Sequence, residues 1–243
     1  MAFPKACSLL TGGHCPYEAD GNFIMPKISV FQKHFVQYEE WFTENRWVYE
    51  AELRAVKALI PERGLGIEIG VGTGRFAQPL GIKIGIEPSD RMKKIAQKRG
   101  IQVLDGVAEE LPFSNSEFDF ALMVTTVCFV DDIDKSLQEA YRILSQDGFL
   151  IIGLVDRNSS VGQIYLSHQN ESVFYKDATF FSVDELIEIM TQIGFRDFVF
   201  RQTIFQTLSE TTENEPVKHG YGEGSFVVIR ATKPGKVTKA GKS

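Results

Sequence analysis

Few folds accommodate the segment GLGIEIGVGTGRF, which spans residues 64–76. Its short apolar run contains one acid, Glu68, and is followed by glycines at alternate positions, Gly70, Gly72 and Gly74. An apolar run of this length predicts a buried strand, and the glycines predict a tight turn at its end. In a parallel sheet, strand-to-helix turns place backbone N–H groups at the carboxyl edge, where ligands bind. The segment therefore predicts an α/β sheet with a nucleotide-binding loop.

Short apolar runs alternate with helical patterns along the chain, and we interpret five of them as strands: LGIEI, IKIGI, IQVL, FDFALMV and GFLIIGLV. Unbroken apolar runs are typical of a parallel sheet that is covered on both faces. Two further runs, FRDFVFRQTIFQTL and GSFVVIRAT, have no helical pattern between them and predict an antiparallel hairpin at the sheet edge. The sequence thus predicts a doubly wound α/β fold with a mainly parallel, seven-stranded sheet.

The chain divides into three predicted regions. Residues 1–30 are rich in Gly, Pro and Cys and are expected to be irregular, whereas residues 232–243 are expected to form a disordered basic tail. Residues 31–231 are expected to form a single domain, which begins with a helical aromatic pattern, FQKHFVQYEEWF. Within this domain, residues 157–181 show no clear period and are interpreted as an insertion that caps the site.

The overall charge and hydropathy exclude several kinds of partner. The net charge of −6 is spread along the chain, and a protein that binds a polyanion needs a basic face. No apolar stretch reaches the length of a membrane-spanning helix, and the N-terminal residues do not resemble a secretory signal. The sequence therefore predicts a cytoplasmic protein without a nucleic-acid or membrane partner, and it offers no basis for predicting the oligomeric state.

The cysteines are too few and too scattered to predict a disulfide framework. Cys7, His14 and Cys15 could bind a metal, but their spacing is not that of a zinc site and no fourth ligand is evident. We therefore predict no metal site. Cys128 follows a predicted strand, and its expected role is that of a small buried apolar residue.

The residues around the glycine loop restrict which nucleotide it can bind. A phosphate-binding Walker loop requires Gly-Lys-Ser/Thr, but Gly74 is followed by Arg75, and Arg75 also replaces the sixth-position glycine of the dinucleotide fingerprint. Beside a diphosphate, Glu68 would be repelled by roughly several kcal/mol, whereas beside a cation it would be stabilising. A cationic nucleoside without phosphates, such as S-adenosylmethionine, satisfies both conditions.

A second acid supports this interpretation. Glu87 lies nineteen residues after Glu68, in IGIEPSDRM, at the predicted end of the second strand. A carboxylate at this position can accept both ribose hydroxyls, with about 1.5–3 kcal/mol for each charge-assisted hydrogen bond. This feature fits any adenosine cofactor. In combination with the glycine loop and Glu68, it favours the methyl donor.

Together these segments resemble the class I S-adenosylmethionine-dependent methyltransferases, in the small-molecule branch that is similar to ubiquinone/menaquinone biosynthesis methyltransferases. EIGVGTG resembles the glycine loop of that family, IGIEPSDRM its second-strand acid, and GVAEELPF its adenine-binding segment. FDFALMVTTVCFVDD and EAYRILSQDGFLIIG resemble its fourth strand and its next helix-to-strand junction. The resemblance covers residues 31–231 and implies a Rossmann-like methyltransferase fold and an enzyme.

The resemblance also implies a set of cofactor-binding residues: Tyr38 over the sulfonium, Gly70, Gly72 and Gly74 at the methionine portion, Glu68 at its amino group, Glu87 at the ribose, Pro88, Ala108 and Glu109 at the adenine, and Val124 and Thr125 through their backbone. One position departs from the family, because Val107 stands where an acid usually reads the adenine amino group. Tyr38 lies in an aromatic stripe, for which core packing is an alternative and compatible interpretation.

Methyl transfer depends mainly on alignment of the reactants, so the absence of an acid–base constellation does not argue against catalysis. The sequence does not identify a catalytic residue, although His34 and His168 are candidates for a base. The acceptor site is expected to be aromatic and to bind a small, partly apolar molecule; its expected residues are Tyr38, Trp41, Phe129, Tyr165, Phe174, Tyr175, Phe180 and Phe181. The alternatives are an RNA or protein methyltransferase and a non-catalytic cofactor-binding module.

Overall fold

The computed structural model describes residues 26–235, which form one eight-stranded sheet with helices on both faces. The strands are β1 Gly66–Ile69, β2 Ile84–Ile86, β3 Gln102–Leu104, β4 Phe118–Val124, β5 Leu144–Val155, β6 Arg196–Thr203, β7 Lys218–His219 and β8 Phe226–Thr232. Their order is β3-β2-β1-β4-β5-β8-β6-β7. Strands β1 to β5 pair in parallel, whereas β8 is antiparallel to both β5 and β6. The predicted doubly wound, mainly parallel fold is confirmed.

The antiparallel edge is larger than the predicted hairpin. Strand β8 lies between β5 and β6, so the last strand of the described residues is internal to the sheet. The additional strand is β7, which pairs through Arg201 with His219 and through Gln202 with Lys218. Two residues are too few to show a period of two, which explains why the sequence pattern predicts seven strands and the sheet has eight.

The helices are α1 Pro26–Lys33, α2 Phe35–Glu44, α3 Arg46–Lys57, α4 Ala77–Leu80, α5 Asp90–Lys98, α6 Ile133–Ile143, α7 Ser160–Ser167 and α8 Val183–Ile193. Helix α1 starts at Pro26, earlier than the helical pattern that begins at Phe31, and His34 separates it from α2. Residues 157–181 contain α7, although their sequence shows no helical period. The Ser159 side chain accepts a hydrogen bond from the Gly162 N–H and caps this helix.

Local signals define several helix ends. At α8, Ser182 accepts from the Glu185 N–H and the Glu185 carboxylate accepts from the Ser182 N–H, which completes a capping box. The helix ends at Gly194, whose φ of 126° is unfavourable for other residues. Asp132 caps α6 by accepting from the Lys135 N–H. Each such cap contributes roughly 1 kcal/mol.

Alternate side chains of the central strands enter two buried clusters, one on each face of the sheet. Along β4, Ala121 and Met123 pack with α6 and α8, whereas Leu122 and Val124 pack with α3. This alternation follows from the two-residue period of a strand. Both faces are covered, so the carboxyl edge of the parallel strands is the part of the sheet open to a ligand.

Some sequence-based expectations fall on residues outside the described range. They concern the possible metal ligands Cys7, His14 and Cys15, most of the irregular N-terminal segment (residues 1–25) and most of the basic tail (residues 236–243). Within residues 26–235, no group of three or more His, Cys, Asp or Glu side chains is arranged to hold a metal ion. In the same range, no helix combines the length and the apolar character that a bilayer crossing requires.

Candidate functional site

The glycine loop, residues 70–74, turns at the carboxyl end of β1. Gly70, Gly72 and Gly74 have φ values of 71°, 55° and 84°, a region that glycine adopts without steric cost. A Cβ on Gly70 or Gly74 would approach a neighbouring side chain to 2.5 and 2.4 Å, respectively. A Cβ on Gly72 would instead point toward the Tyr38 hydroxyl, at 3.3 Å. Gly70 and Gly74 therefore permit close packing, and Gly72 leaves space next to Tyr38.

Glu87 joins the ends of β1 and β2. Its Oε2 accepts a hydrogen bond of 2.9 Å from the Gly72 N–H, and its Oε1 accepts one of 2.9 Å from the Ser89 N–H. Burial raises the pKa of Glu87 to about 7, although these two hydrogen bonds and the charge of Lys93 act in the opposite direction. The side chain also lines the main cavity. A carboxylate with free lone pairs at this position is suited to accept hydroxyl groups.

Glu68 is a buried carboxyl group beneath the glycine loop. Burial raises its pKa well above the usual range, and the charge of Glu87 raises the pKa further. A hydrogen bond from the Ala77 N–H lowers the pKa but does not offset this rise. Its Oε2 has no hydrogen-bond partner among the described residues. A buried polar atom without a partner is rare and costs free energy. The position therefore suits a donor group, such as an ammonium or a water molecule bound to one.

The main cavity has a volume of about 200 Å³ and lies between the carboxyl edge of the sheet and helices α1 to α3. It brings together nine of the eleven residues predicted to bind a cofactor: Tyr38, Gly70, Gly72, Glu87, Pro88, Ala108, Glu109, Val124 and Thr125. Glu68 and Gly74 do not line it, because Glu68 lies below the loop and a Cβ on Gly74 would meet the Ile101 side chain. The cofactor contacts of all eleven residues stay predictions.

The other end of the cavity is aromatic. Six of the eight aromatic residues predicted for the acceptor site line it: Tyr38, Trp41, Phe129, Tyr165, Phe174 and Tyr175. Phe180 and Phe181 line a smaller adjoining pocket, together with Cys128. The Cys128 thiol donates to the Thr125 carbonyl at 3.0 Å, and burial raises its pKa to about 12.

Tyr38 belongs to both the hydrophobic packing and the cavity wall. Its ring packs edge-on against Phe31, with centroids 5.9 Å apart, and against Phe42, with centroids 5.1 Å apart. Burial, followed by the charges of Glu68 and Glu87, raises the pKa of its hydroxyl, so Tyr38 stays neutral. The core-packing and cofactor-closing interpretations are therefore compatible at this position.

Two histidines considered as bases do not line the cavity. His34 is exposed at the break between α1 and α2, and His168 is exposed at the end of α7. The sequence reasoning overlooked a different cavity residue, Glu52 on α3. A signal was present, since Glu52 follows Val48 by four residues and precedes Val56 by four, which places an acid on the apolar stripe of the helix.

A charged cluster holds α2 against the glycine loop. The Glu39 Oε2 binds the guanidinium groups of Arg75 and Arg99, at 2.6 Å each, and its Oε1 accepts from the Thr73 hydroxyl. Burial raises the pKa of Glu39, but hydrogen bonds from Arg99, Arg75 and Thr73 outweigh it and lower the pKa to about 2. Helix α2 carries Tyr38, so this cluster also sets the position of the aromatic wall.

Removal of the acid at the centre of this cluster is expected to destabilise the protein. Glu39→Ala leaves two adjacent guanidinium groups without their shared carboxylate, and we expect a loss of about 1–3 kcal/mol in the free energy of unfolding. Urea unfolding measures this loss. Glu40→Ala, at the exposed neighbouring position on α2, is the control and should change stability little. Equal unfolding midpoints for the two variants would show that the cluster does not anchor α2.

The raised pKa of Glu87 predicts a pH dependence of ligand binding. A protonated carboxyl loses its charge-assisted hydrogen bonds to hydroxyl groups, so affinity should fall as the pH decreases through about 7. With 5′-methylthioadenosine, which has no titrating amino acid portion, we expect about tenfold weaker binding at pH 6 than at pH 8. Calorimetric titration measures the profile. Glu87→Gln should flatten it, and a flat profile for the wild-type protein would contradict the prediction.

Comparison with known proteins places this fold and site in a family. The profile of a family described as a methyltransferase domain matches residues 67–152. An uncharacterized protein of Methanocaldococcus jannaschii is 47% identical over 206 residues, which cover 85% of this chain and 100% of that protein. A demethylmenaquinone methyltransferase of Chlorobaculum tepidum is 30% identical over 133 residues, or 51% of this chain and 55% of that enzyme.

A solved structure shows the same relationship. A protein of Thermotoga maritima, described as an S-adenosylmethionine-dependent methyltransferase and possible histamine N-methyltransferase, is 56% identical. The match has a TM-score of 0.83 and covers 85% of this chain and 99% of that one. The sheet order and the glycine loop define a Rossmann-like nucleoside-binding domain. The chain belongs to the class I S-adenosylmethionine-dependent methyltransferases and resembles the quinone biosynthesis enzymes among them.

The methyl donor of this enzyme is S-adenosylmethionine, and the residues of the site fit it. The Glu68 carboxyl lies behind the cavity lining and has an oxygen without a partner, which suits a hydrogen bond to the donor's ammonium group through a water molecule. Gly72 leaves space that a Cβ would fill, and Glu87 offers lone pairs for a ribose diol. The donor is a cation without phosphates, in agreement with the acid ahead of the glycine loop.

Proposed function

We propose that this enzyme transfers the methyl group to a small, partly apolar acceptor bound at the aromatic end of the main cavity. The observation that carries the proposal is the continuity of this cavity, which extends from Gly72 and Glu87 to the aromatic side chains of α1, α2 and α7. One continuous cavity therefore lines the positions proposed for both reactants. Its lining is mainly apolar, which favours a small organic molecule over a polymer held on a charged surface.

The residues of this chain would act mainly by positioning. S-adenosylmethionine supplies an electrophilic methyl group when bound. Glu87 and Glu68 would hold its ribose and ammonium groups, and aromatic faces such as Tyr38 would stabilise the sulfonium. Alignment of two bound reactants can lower a barrier by roughly 7–11 kcal/mol, so positioning accounts for a large part of the catalysis.

Charge and relatives support a small acceptor over the alternatives. The net charge of −6 disfavours an RNA substrate. The names of the Thermotoga maritima and Chlorobaculum tepidum relatives denote small acceptors, an amine and a quinone precursor. A cytoplasmic location stays a prediction from the sequence.

The experiment has two stages. Calorimetry first measures binding of S-adenosylmethionine and S-adenosylhomocysteine, and release of S-adenosylhomocysteine is then followed with phenols, thiols, amines and quinol precursors. We expect binding of both nucleosides and turnover with at least one acceptor class. Binding without any turnover would instead indicate a non-catalytic module, and turnover restricted to RNA or protein would overturn the small-acceptor proposal.

A further inference from the structure

Glu52 is a buried carboxyl group on the wall of the main cavity, with 6% of its surface exposed. Its helix, α3, otherwise buries an apolar stripe that includes Val48, Ala55 and Val56. Within residues 26–235, the Glu52 carboxyl forms no ion pair and no side-chain hydrogen bond. Carboxyl groups are rarely buried without a partner, because desolvation strongly disfavours the charged form. Its position in the cavity indicates that the missing partner is a ligand.

The surroundings of Glu52 are aromatic. Tyr165 and Tyr175 stack with centroids 4.9 Å apart, and both line the cavity with Trp41 and Phe174. Burial raises the pKa of both tyrosine hydroxyls, and the charge of Glu52, which lines the same cavity, acts in the same direction. Aromatic faces attract cations, and a carboxylate supplies the counter-charge. A carboxylate among aromatic rings is a suitable site for an organic ammonium.

Among the described residues, no cationic side chain pairs with Glu52. Lys27 is the basic residue on the cavity wall, and its ammonium group donates to the Val130 carbonyl at 2.8 Å and lies 4.0 Å from the Asp131 carboxylate. Burial raises the pKa of Glu52 to about 8. A bound ammonium would favour the ionised carboxylate again.

We propose that Glu52 binds the cationic amino group of the methyl acceptor, so that the acceptor is a small amine with an apolar or aromatic portion. This inference rests on the proposed function, because it assigns the acceptor class of the same cavity. It makes Glu52 the residue that distinguishes amines from neutral molecules of the same shape.

An ammonium must lose a proton before its nitrogen can act as a nucleophile. The Glu52 carboxylate takes one N–H proton and leaves a neutral amine with a lone pair. This lone pair forms the bond to the methyl carbon of S-adenosylmethionine while the bond from carbon to sulfur breaks and its electron pair stays on sulfur. The products are a methylated ammonium and neutral S-adenosylhomocysteine, and the proton on Glu52 passes to solvent.

The test compares amines with neutral isosteres. Protein saturated with S-adenosylhomocysteine is titrated with phenethylamine, tyramine and histamine, and with the alcohols 2-phenylethanol and tyrosol. We expect at least one amine to bind the wild-type protein about tenfold more tightly than the alcohols. In Glu52→Gln this preference should disappear, whereas Glu52→Asp should keep part of it. The control is Glu50→Gln on the same helix, whose carboxylate pairs with Arg46.

The possible failures are distinguishable. Unchanged S-adenosylhomocysteine affinity shows that each variant is folded and that the donor end is intact. If no amine binds better than the alcohols, or if Glu52→Gln keeps the preference, the amine assignment is wrong. Turnover of phenols or quinol precursors would then leave the proposed function in place. A wild-type protein that releases no S-adenosylhomocysteine with any acceptor would instead contradict the proposed function itself.

Discussion

Replacing Glu87 with alanine is expected to weaken S-adenosylhomocysteine binding by about 100-fold or more. The carboxylate can accept two ribose hydroxyls, and charge-assisted hydrogen bonds contribute about 1.5–3 kcal/mol each. The same carboxylate also accepts from the Gly72 N–H and the Ser89 N–H at 2.9 Å. Its removal would therefore eliminate the proposed ribose acceptor and release the glycine loop from β2. Calorimetric titration of both proteins at pH 8 measures the effect.

The control for this variant is an acid outside the site. Glu62 is exposed in the turn before β1, and Glu62→Ala should bind S-adenosylhomocysteine as the wild-type protein does. Glu87→Gln keeps one acceptor oxygen and should have intermediate affinity. If Glu87→Ala bound the nucleoside as tightly as Glu62→Ala, the assignment of Glu87 to the ribose would be wrong.

The substitution Gly72→Ala is expected to reduce donor affinity by about ten- to a hundredfold. Gly72 has a φ of 55°, and its Cβ would lie 3.3 Å from the Tyr38 hydroxyl and 3.8 Å from Met92 Cε. The new methyl group would therefore occupy the space where the donor must approach the loop backbone. A loss of about 1.4–2.8 kcal/mol in binding free energy corresponds to this range.

Backbone strain must be separated from this steric effect, and Gly81 offers a matched control. Its φ is 76°, and a Cβ there would meet no atom within 4 Å. Both alanine variants should lose roughly 1–2 kcal/mol of stability, because a left-handed conformation disfavours any L-residue. Urea unfolding measures that common loss. Equal donor affinities for Gly72→Ala and Gly81→Ala would show that the donor does not approach Gly72.

The two ends of the cavity differ in how the fold supports them. The end proposed for the donor is formed by loops at the carboxyl edge of β1 and β2, including Gly72 and Glu87. The end proposed for the acceptor is formed by side chains of α2, α3 and α7, which lie over that edge. Changes in the helices can therefore alter the acceptor while the donor site is retained, which is why one fold hosts many methyl acceptors.

Local sequence signals were sufficient for much of the fold. The apolar runs of β1 and β4 predict strands, the pair Ser182 and Glu185 predicts the start of α8, and the acid and glycines of residues 68–74 predict a nucleoside loop. Each of these signals involves residues close together in the chain, whose geometry follows from backbone sterics and short-range hydrogen bonds. Glu68 and Glu87 were predicted at the ends of the first and second strands, and the structure shows that these two strands pair in parallel.

Contacts between residues distant in the sequence determined the parts of the fold and of the site that local signals did not predict. The cluster of Glu39 with Arg75 and Arg99 joins positions 36 and 60 residues apart, and no local pattern predicts which charges will meet. Strand β7 is too short to show a period, and the sequence around helix α7 is too irregular. We therefore attribute the stability of both elements to contacts with their neighbours. Glu52 is one acid in an apolar stripe by sequence, and its lack of a partner follows from which helices enclose it. Packing in the folded chain determines which residues are buried and which distant residues pair with each other. No local sequence pattern specifies these contacts.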